Sequence, residues 1–457
     1  MPAGHVKAEP WFKEGTHRMR KPKRWTALLM LVAAVAMVLA AACGGDDDDE
    51  EETPATGGET PQQDVKKYDP GASDTEIKIG SCYPFSGPAA AYGTIGKSVE
   101  AYFKMVNEQG GVNGRKITFI TQDDQYSPDK TVQCARSLVE QEKVLFIFNT
   151  LGTPSNTAIW DYLNQQKIPH LFVATGASKW GADPKSHPWT MGWQPDYQSE
   201  SAIYVEWLSK EKPNAKVAIL YQNDDYGKDY LEGFKKALGA KASQVIVKEA
   251  SYAVTDASVS AQVTQLKESG ADTFYIIATP KFATQALIAA SQVGWKPTIL
   301  LNSVSQSIPA VVDPAAQQGA DLSDVITTIY IKDPGDPQWA NDKAIQDYLA
   351  FMKKYYPDGN PNDGFNVYGY AVAQTLVEGV LKRAGNNLTR ENILKQATSI
   401  KDLRVDVLLP GILINTSPVD SPNPDYYPIQ AEQLAKYNPS AKKWDLFGEV
   451  IDVSKKK

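Results

Sequence analysis

From Glu76 onward, short apolar runs rich in Val, Ile and aromatic residues alternate with stretches of helical spacing. No other feature limits the possible folds so sharply. The run EIKIGSC that opens at Glu76 reads as a strand, and 92–109 has helical spacing that stops at Gly110-Gly111. Strand 116–122, helix 128–141, strand 144–149, helix 154–165 and strand 170–175 follow, giving the order βαβαβαβ. Strands without polar alternation, separated by helices, predict a parallel sheet covered on both faces. The pattern then restarts with helix 200–210, strand 216–222, helix 228–238, strand 244–250, helix 258–269, strand 273–279, helix 282–292 and strand 298–302. Two such units in tandem predict two lobes, and no short-period repeat points to a solenoid. Helical spacing resumes over 339–401, interrupted at 357–363 and 385–387, and beyond Pro410 the chain is proline-rich and short-stranded.

Ahead of this body, a basic cluster from Arg18 to Arg24 precedes the apolar run 27–42 and Cys43. That run is short for a membrane span, which needs about 20 apolar residues, and its small residues at the end suit an export signal. The order basic, apolar, Ala-Ala-Ala-Cys resembles a bacterial lipoprotein signal, in which the cysteine is lipidated and becomes the new N-terminus. Ala40 stands where such signals usually have Leu. An ordinary secretory signal or an N-terminal anchor helix is the alternative reading. Met19 begins a more typical signal than Met1, so either is a candidate start. Residues 44–73 are acidic and rich in Thr, Pro, Gly and Gln. Such a stretch buries too little surface to offset its ordering entropy and is expected to be a disordered tether.

Charge and cysteine usage fit a domain held outside the cell. The whole chain has 47 Lys/Arg and 54 Asp/Glu; taking away the seven basic and two acidic residues of 1–42 leaves 40 against 52. An acidic body is a poor partner for nucleic acid, whose affinity comes mainly from phosphate neutralisation. With Cys43 assigned to lipid, Cys82 and Cys134 remain, an even pair in an oxidising compartment. Spacing alone leaves open whether they form a disulfide or stay two buried thiols. Beyond the signal, only His170 and His187 are present, both next to prolines, and no GxSxG occurs, which speaks against Ser-His-Asp or Cys-His hydrolysis. No cysteine or histidine spacing suits zinc. The stretch 91–98, AYGTIGKS, is one glycine short of a phosphate loop and reads as a helix entry.

In doubly wound sheets, ligands bind where strands end and loops enter helices. The first such loop is 83–93, YPFSGPAAAYG. The second, 150–156, holds Thr153 at an expected N-cap followed by Pro154, so that backbone N–H groups at 153–156 would face the cleft as a site for a small carboxylate. Capping its own helix is the alternative role for Thr153. The loop 174–178, ATGAS, adds hydroxyls, and 223–227, NDDYG, adds acids and an aromatic ring from the second unit, although Asn/Asp-rich strand ends also serve as plain turns.

Taken together, PFSGPAAAYG (84–93), NEQGGVNGRKI (107–117), the run 123–144, LGTPSNT (151–157), TGA (175–177) and NDDYGKDY (223–230) resemble the substrate-binding lipoproteins of branched-chain amino-acid ABC transporters. The resemblance covers nearly all of 76–400. It implies two doubly wound three-layer α/β lobes, the type I periplasmic-binding-protein clamshell, joined by a three-crossover hinge. The expected division is 1–43 signal, 44–73 tether, 74–195 with 331–405 as lobe 1, and 196–330 with 406–457 as lobe 2. Function is expected to be non-enzymatic: a small molecule is enclosed and passed to a membrane permease, by a monomer anchored through lipid to the extracytoplasmic face of a bacterial membrane, without cofactor, metal or nucleic acid. A ligand sensor of the same fold, or an extracellular hydrolase, is the alternative. The resemblance places a ligand carboxylate at Thr153 and Ala177–Ser178 and cleft-lining aromatics at Tyr92 and Tyr226; Gly152, Thr279 and Ser303 are further expected ligand-binding residues. The family's ammonium partner is an acid after a second-lobe strand, yet 301–306, LNSVSQ, contains none. Asp225 or Asp224 is the expected substitute, and a small carboxylate or amide with an apolar or aromatic body is the expected ligand in preference to leucine, isoleucine or valine.

Overall fold

The structure, a computed structural model, describes residues 66–456. The export signal, Cys43 and the tether as far as residue 65 lie outside the described residues. Residues 67–73, expected in the tether, instead join the body. Lys67–Tyr68 pairs in parallel with Asn387–Leu388, and the Asp69 carboxylate accepts the Arg390 N–H at 2.8 Å.

Two parallel sheets form the cores. The first has five strands in the order Lys116–Asp123, Glu76–Tyr83, Phe146–Phe148, His170–Val173, Thr190–Gly192. The second has Ile246–Tyr252, Val217–Gln222, Thr273–Ile277, Thr298–Leu301 and Val325–Ile329 in the same parallel arrangement. Ala431–Asn438 then adds antiparallel to Val325–Ile329, with Lys443–Leu446 and Ile451–Asp452 beside it. Within each lobe the five parallel strands run second, first, third, fourth, fifth in chain order, so each sheet has a switch point between its first and third strands. Strands Phe146–Phe148, His170–Val173, Thr273–Ile277 and Thr298–Leu301 are buried along their whole length, which explains their unbroken apolar sequence.

The helices follow the periodicity. In Gly93–Glu108 the buried side chains Ile95, Val99, Tyr102, Phe103 and Val106 recur at helical spacing. Helix Gly364–Leu376 packs against this helix at close range: Ser98 Oγ donates to the Asn366 carbonyl at 2.7 Å, and a Cβ at Gly369 would stand 2.6 Å from the Ile95 carbonyl oxygen. The chain therefore crosses from the first sheet to the second after Gly192, returns after Ile329, and crosses again before Ala431. Tyr426 and Tyr427 still bond to the Pro188 and Ser178 carbonyls of the first lobe, so the third passage falls later than the expected residue 406.

Other differences are local. Strands Thr190–Gly192 and Val325–Ile329 close the two parallel sets but were not expected, the former being only three residues long. Helix 128–141 is α-helical over Pro128–Arg136 and ends in a wider turn, Ser137–Gln141. The helix expected from 339 starts at Lys343, because Asp342 caps it by accepting the Ile345 N–H at 3.2 Å. His170 is fully buried with neither ring nitrogen hydrogen-bonded, and burial pushes its pKa down to about 3, so it is an uncharged core residue.

Cys82 and Cys134 are bonded, joining strand Glu76–Tyr83 to helix Pro128–Arg136 with a Cα separation of 6.2 Å. Titration of the denatured, unreduced protein should find neither thiol free. Replacing both by Ser should cost roughly 2–4 kcal/mol, as expected for opening a closed loop of this size; chemical unfolding of the double variant measures it.

Candidate functional site

The carboxyl ends of the two sheets face a common cavity of about 100 Å³. From the first lobe come Tyr92, Gly152 and Thr153, and from the second Tyr226, Thr279 and Ser303, six of the residues singled out in the sequence. Ala177, Ser178 and Asp225 are not among the lining residues.

The loop before helix Thr153–Gln165 sets one wall. Gly152, not Thr153, is the N-cap, with φ +98°, and a Cβ there would stand 2.5 Å from the Tyr126 ring. Only glycine allows both this backbone and that ring to occupy the wall. Asn156 N–H bonds the Gly152 carbonyl at 3.0 Å and Pro154 has no N–H, so Thr153 and Ser155 supply the amides of the first turn that lie outside the helix ladder. The amides left over are thus fewer than the four expected at 153–156. Thr153 Oγ1 lies 2.6 Å from Thr175 Oγ1, which also accepts the Ala177 N–H at 3.2 Å.

Tyrosines dominate the remaining surface. Tyr92 packs edge-on to Phe365 with ring centroids 4.9 Å apart, and its hydroxyl donates across the cleft to the Val304 carbonyl at 2.9 Å. Tyr226 donates to Asn302 Oδ1 at 2.5 Å, in the amide orientation that lets the nitrogen donate to the Ile276 and Ala278 carbonyls. Tyr252 and Thr279 both donate to Gln222 Oε1, at 3.0 and 3.2 Å. Sequence reasoning did not single out Gln194, Tyr197, Tyr330 or Tyr368 as lining residues. They lie on or beside the crossovers, and Tyr368 OH donates to Gln194 Oε1 at 3.1 Å. No local motif marks such positions, because two distant segments create them.

Behind Ser303 stands the acid that 301–306 lacks. Glu200, on helix Tyr197–Glu211 and 1% exposed, accepts the Ser303 N–H and Oγ–H at 2.7 Å each, Tyr230 OH at 2.6 Å and Tyr204 OH at 3.0 Å. Four donors consume this carboxylate and turn the Ser303 hydroxyl proton away from the cavity. Nearby Glu432 is buried without a hydrogen-bond partner among the described residues. Burial, reinforced by the charge of Glu200, pushes its carboxyl well above the usual range.

Of the three expected residues that miss the cavity, Ser178 and Asp225 instead meet the opposite lobe, and Ala177 bonds Thr175 of its own lobe. Ser178 donates its N–H and its hydroxyl to the Asp229 carboxylate at 2.7 and 2.6 Å, and Gln198 Nε2 adds a third bond at 2.9 Å. Asp229 belongs to helix Asp225–Leu238 of the second lobe, so a side-chain carboxylate takes the donors expected to hold a ligand's. Lys179 pairs with Asp225 at 2.7 Å, which holds that carboxyl below its usual value, and Thr157 donates to the same oxygen at 3.4 Å. Asp224 is equally committed: it caps its helix through Tyr226 N–H and Gly227 N–H and accepts Gln222 Nε2 at 2.6 Å. Neither acid is open to a ligand ammonium.

Comparison with known proteins agrees with this geometry. The family model described as periplasmic binding protein matches residues 76–433. A Leu/Ile/Val-binding protein homolog 7 of Brucella suis biovar 1 (strain 1330) is 25% identical over 349 residues, covering 72% of this chain and 82% of the relative. Among solved structures, a branched chain amino acid ABC transporter protein from Thermus thermophilus with bound valine superposes with TM-score 0.72 at 16% identity, covering 82% of this chain and 96% of that one. A fatty acid ABC transporter substrate-binding protein from Thermomonospora curvata superposes with TM-score 0.71 at 24% identity, covering 85% and 96%. At these identities the two structures bear on the fold alone. The matched model spans the parallel sheets of both lobes, and on that ground the chain belongs to the periplasmic binding protein family, extracytoplasmic proteins that bind solutes and are not enzymes.

Proposed function

We propose that this protein is the solute-binding component of an ABC importer, anchored through lipid on Cys43, which closes its lobes on a small carboxylate, amide or amino-acid-like molecule and delivers it to a membrane permease. The observation that carries the reading is a single cavity lined by strand ends of both sheets, with hydrogen bonds crossing between the lobes at its rim. A ligand with an apolar or aromatic body suits walls built from Tyr92, Tyr126, Tyr226, Phe365 and Tyr368, which offer ring faces and little charge. The Thr153–Thr175 hydroxyl pair and the first-turn amides are the proposed seat for the ligand's acceptor end. In this mechanism the ligand draws the lobes together, and the contacts of Ser178, Lys179 and Thr157 with Asp229 and Asp225 form only in the closed state. The permease reads the closed shape.

Four outcomes test the reading. A thermal-shift screen of amino acids, aromatic carboxylates and small amides should find a ligand that raises the melting temperature, since binding only the folded state stabilises it. Thr153→Ala should then weaken that ligand by about 1–3 kcal/mol in calorimetry; an unchanged dissociation constant would place the acceptor end elsewhere. Asp229→Ala should separate the lobes. With spin labels on Lys185→Cys and Lys236→Cys, the liganded protein should give a longer distance in this variant than in its parent. For the anchor, mass spectrometry should find a fatty-acylated Cys43, and Cys43→Ser should release the protein from the membrane fraction; a membrane-bound variant without fatty acid would refute lipidation.

A further inference from the structure

Only two cavity-lining residues carry a formal charge, Lys332 and Asp333, both on the crossover that follows strand Val325–Ile329. Their situations differ. Lys332 Nζ is bonded to Asp342 at 2.7 Å and to the Asp406 carbonyl at 2.8 Å, and it lies over the Trp339 ring at 5.2 Å. Its charge is spent on the protein. Asp333 accepts the Gly335 N–H at 2.8 Å and has no basic partner among the described residues. Other charges at this end of the cavity are committed too: Lys443 pairs with Asp336 at 3.3 Å and Asp445 at 2.9 Å, while Asp363 accepts Ser307 Oγ–H at 2.9 Å and Phe365 N–H at 3.0 Å. Burial, with a smaller contribution from Asp336, pushes the Asp333 carboxyl up to about 6, against the opposing pull of the Gly335 N–H and the Lys443 charge. A carboxylate lining a mostly apolar cavity without an ion-pair partner of its own is destabilised, and a cationic group brought to it restores the balance.

We propose that Asp333 is the recognition residue for a primary amine on the ligand, so that the cavity binds an apolar or aromatic body whose ammonium end points to the crossover after Val325–Ile329. The inference rests on the solute-binding reading above and selects among its ligand chemistries. It also supplies from the hinge the acid that is missing after the second-lobe strand at 301–306. The cavity is bipolar: hydroxyls and amides at Thr153, an acid at Asp333, and rings between. Asn362, another lining residue, and Asp333 approach the same Gly335, where a Cβ would stand 3.3 Å from Asp333 Oδ1 and 3.7 Å from the Asn362 side chain.

The test compares two matched probe series, 2-phenylethylamine, 3-phenylpropanoate and 3-phenylpropanamide, and hexylamine, hexanoate and hexanamide, by thermal shift and calorimetry on the mature protein. Amine probes should bind, and Asp333→Asn should weaken them by about 10- to 100-fold while leaving the melting temperature of the unliganded protein little changed. Asp333→Glu, which keeps the charge, should retain most of the amine affinity. Binding of the carboxylate or amide probes without the amines, or amine binding that is the same in Asp333→Asn, overturns the assignment and leaves the solute-binding reading intact. No shift with any of the six probes also overturns the amine assignment, and the broader screen above then decides the solute reading separately.

Discussion

A parallel sheet delivers all its strand-end loops to one edge, and a right-handed βαβ chain cannot turn that edge around. Placing two such edges opposite each other therefore requires the chain to pass between lobes instead of completing one before starting the next. The three passages do this, and much of the site is built on them. The first begins near Gln194 and carries Glu200 beneath Ser303; the second carries Tyr330, Lys332 and Asp333 along the cavity. The crossovers that join the lobes thus line part of the cavity between them.

Charge is distributed to keep the cavity nearly neutral. Glu200 is neutralised in effect by four donors, Asp224 by a cap, Asp225 by Lys179 and Asp229 by Ser178 and Gln198. Hydrogen bonds to buried carboxylates are charge-assisted and strong, so each acid fixes the position of the loop that donates to it. Rim acids hold one lobe to the other, whereas the acid beneath the floor orients Ser303. The arrangement leaves Asp333 as the charge most open to something outside the chain.

How much of this could be read from the sequence differs by level. Unbroken apolar runs at 144–149, 170–175, 273–279 and 298–302 announced buried parallel strands because full burial leaves no polar face. Loops after those strands pointed to Tyr92, Thr153, Tyr226, Thr279 and Ser303 because strand-end loops of such sheets converge by topology. Ser178 and Asp225 were drawn in by the same rule and deflected by a relation the rule does not contain, the approach of helix Asp225–Leu238 to the first lobe's loops. Strand Val325–Ile329 is an unbroken β-branched run, VITTI, but it follows a loop with no helix-strand alternation to frame it, and with it Asp333 stayed unseen.

Local sequence by itself determined the elements, their α/β order, the two-lobe division and the sheet edge that lines the cavity, since periodicity and turn chemistry act over a few residues. Tertiary structure alone decided which acids other than Asp224 are spent and which is open, because that depends on donors distant in sequence, such as Lys179 to Asp225 and Ser303 to Glu200. It also decided which lobe 66–73 and 406–430 attach to, through single bonds such as Arg390 to Asp69 and Tyr427 to Ser178. A side chain's chemistry is written in its residue type, but whether that chemistry is used inside the fold or offered to a ligand is set by distances that no local pattern encodes.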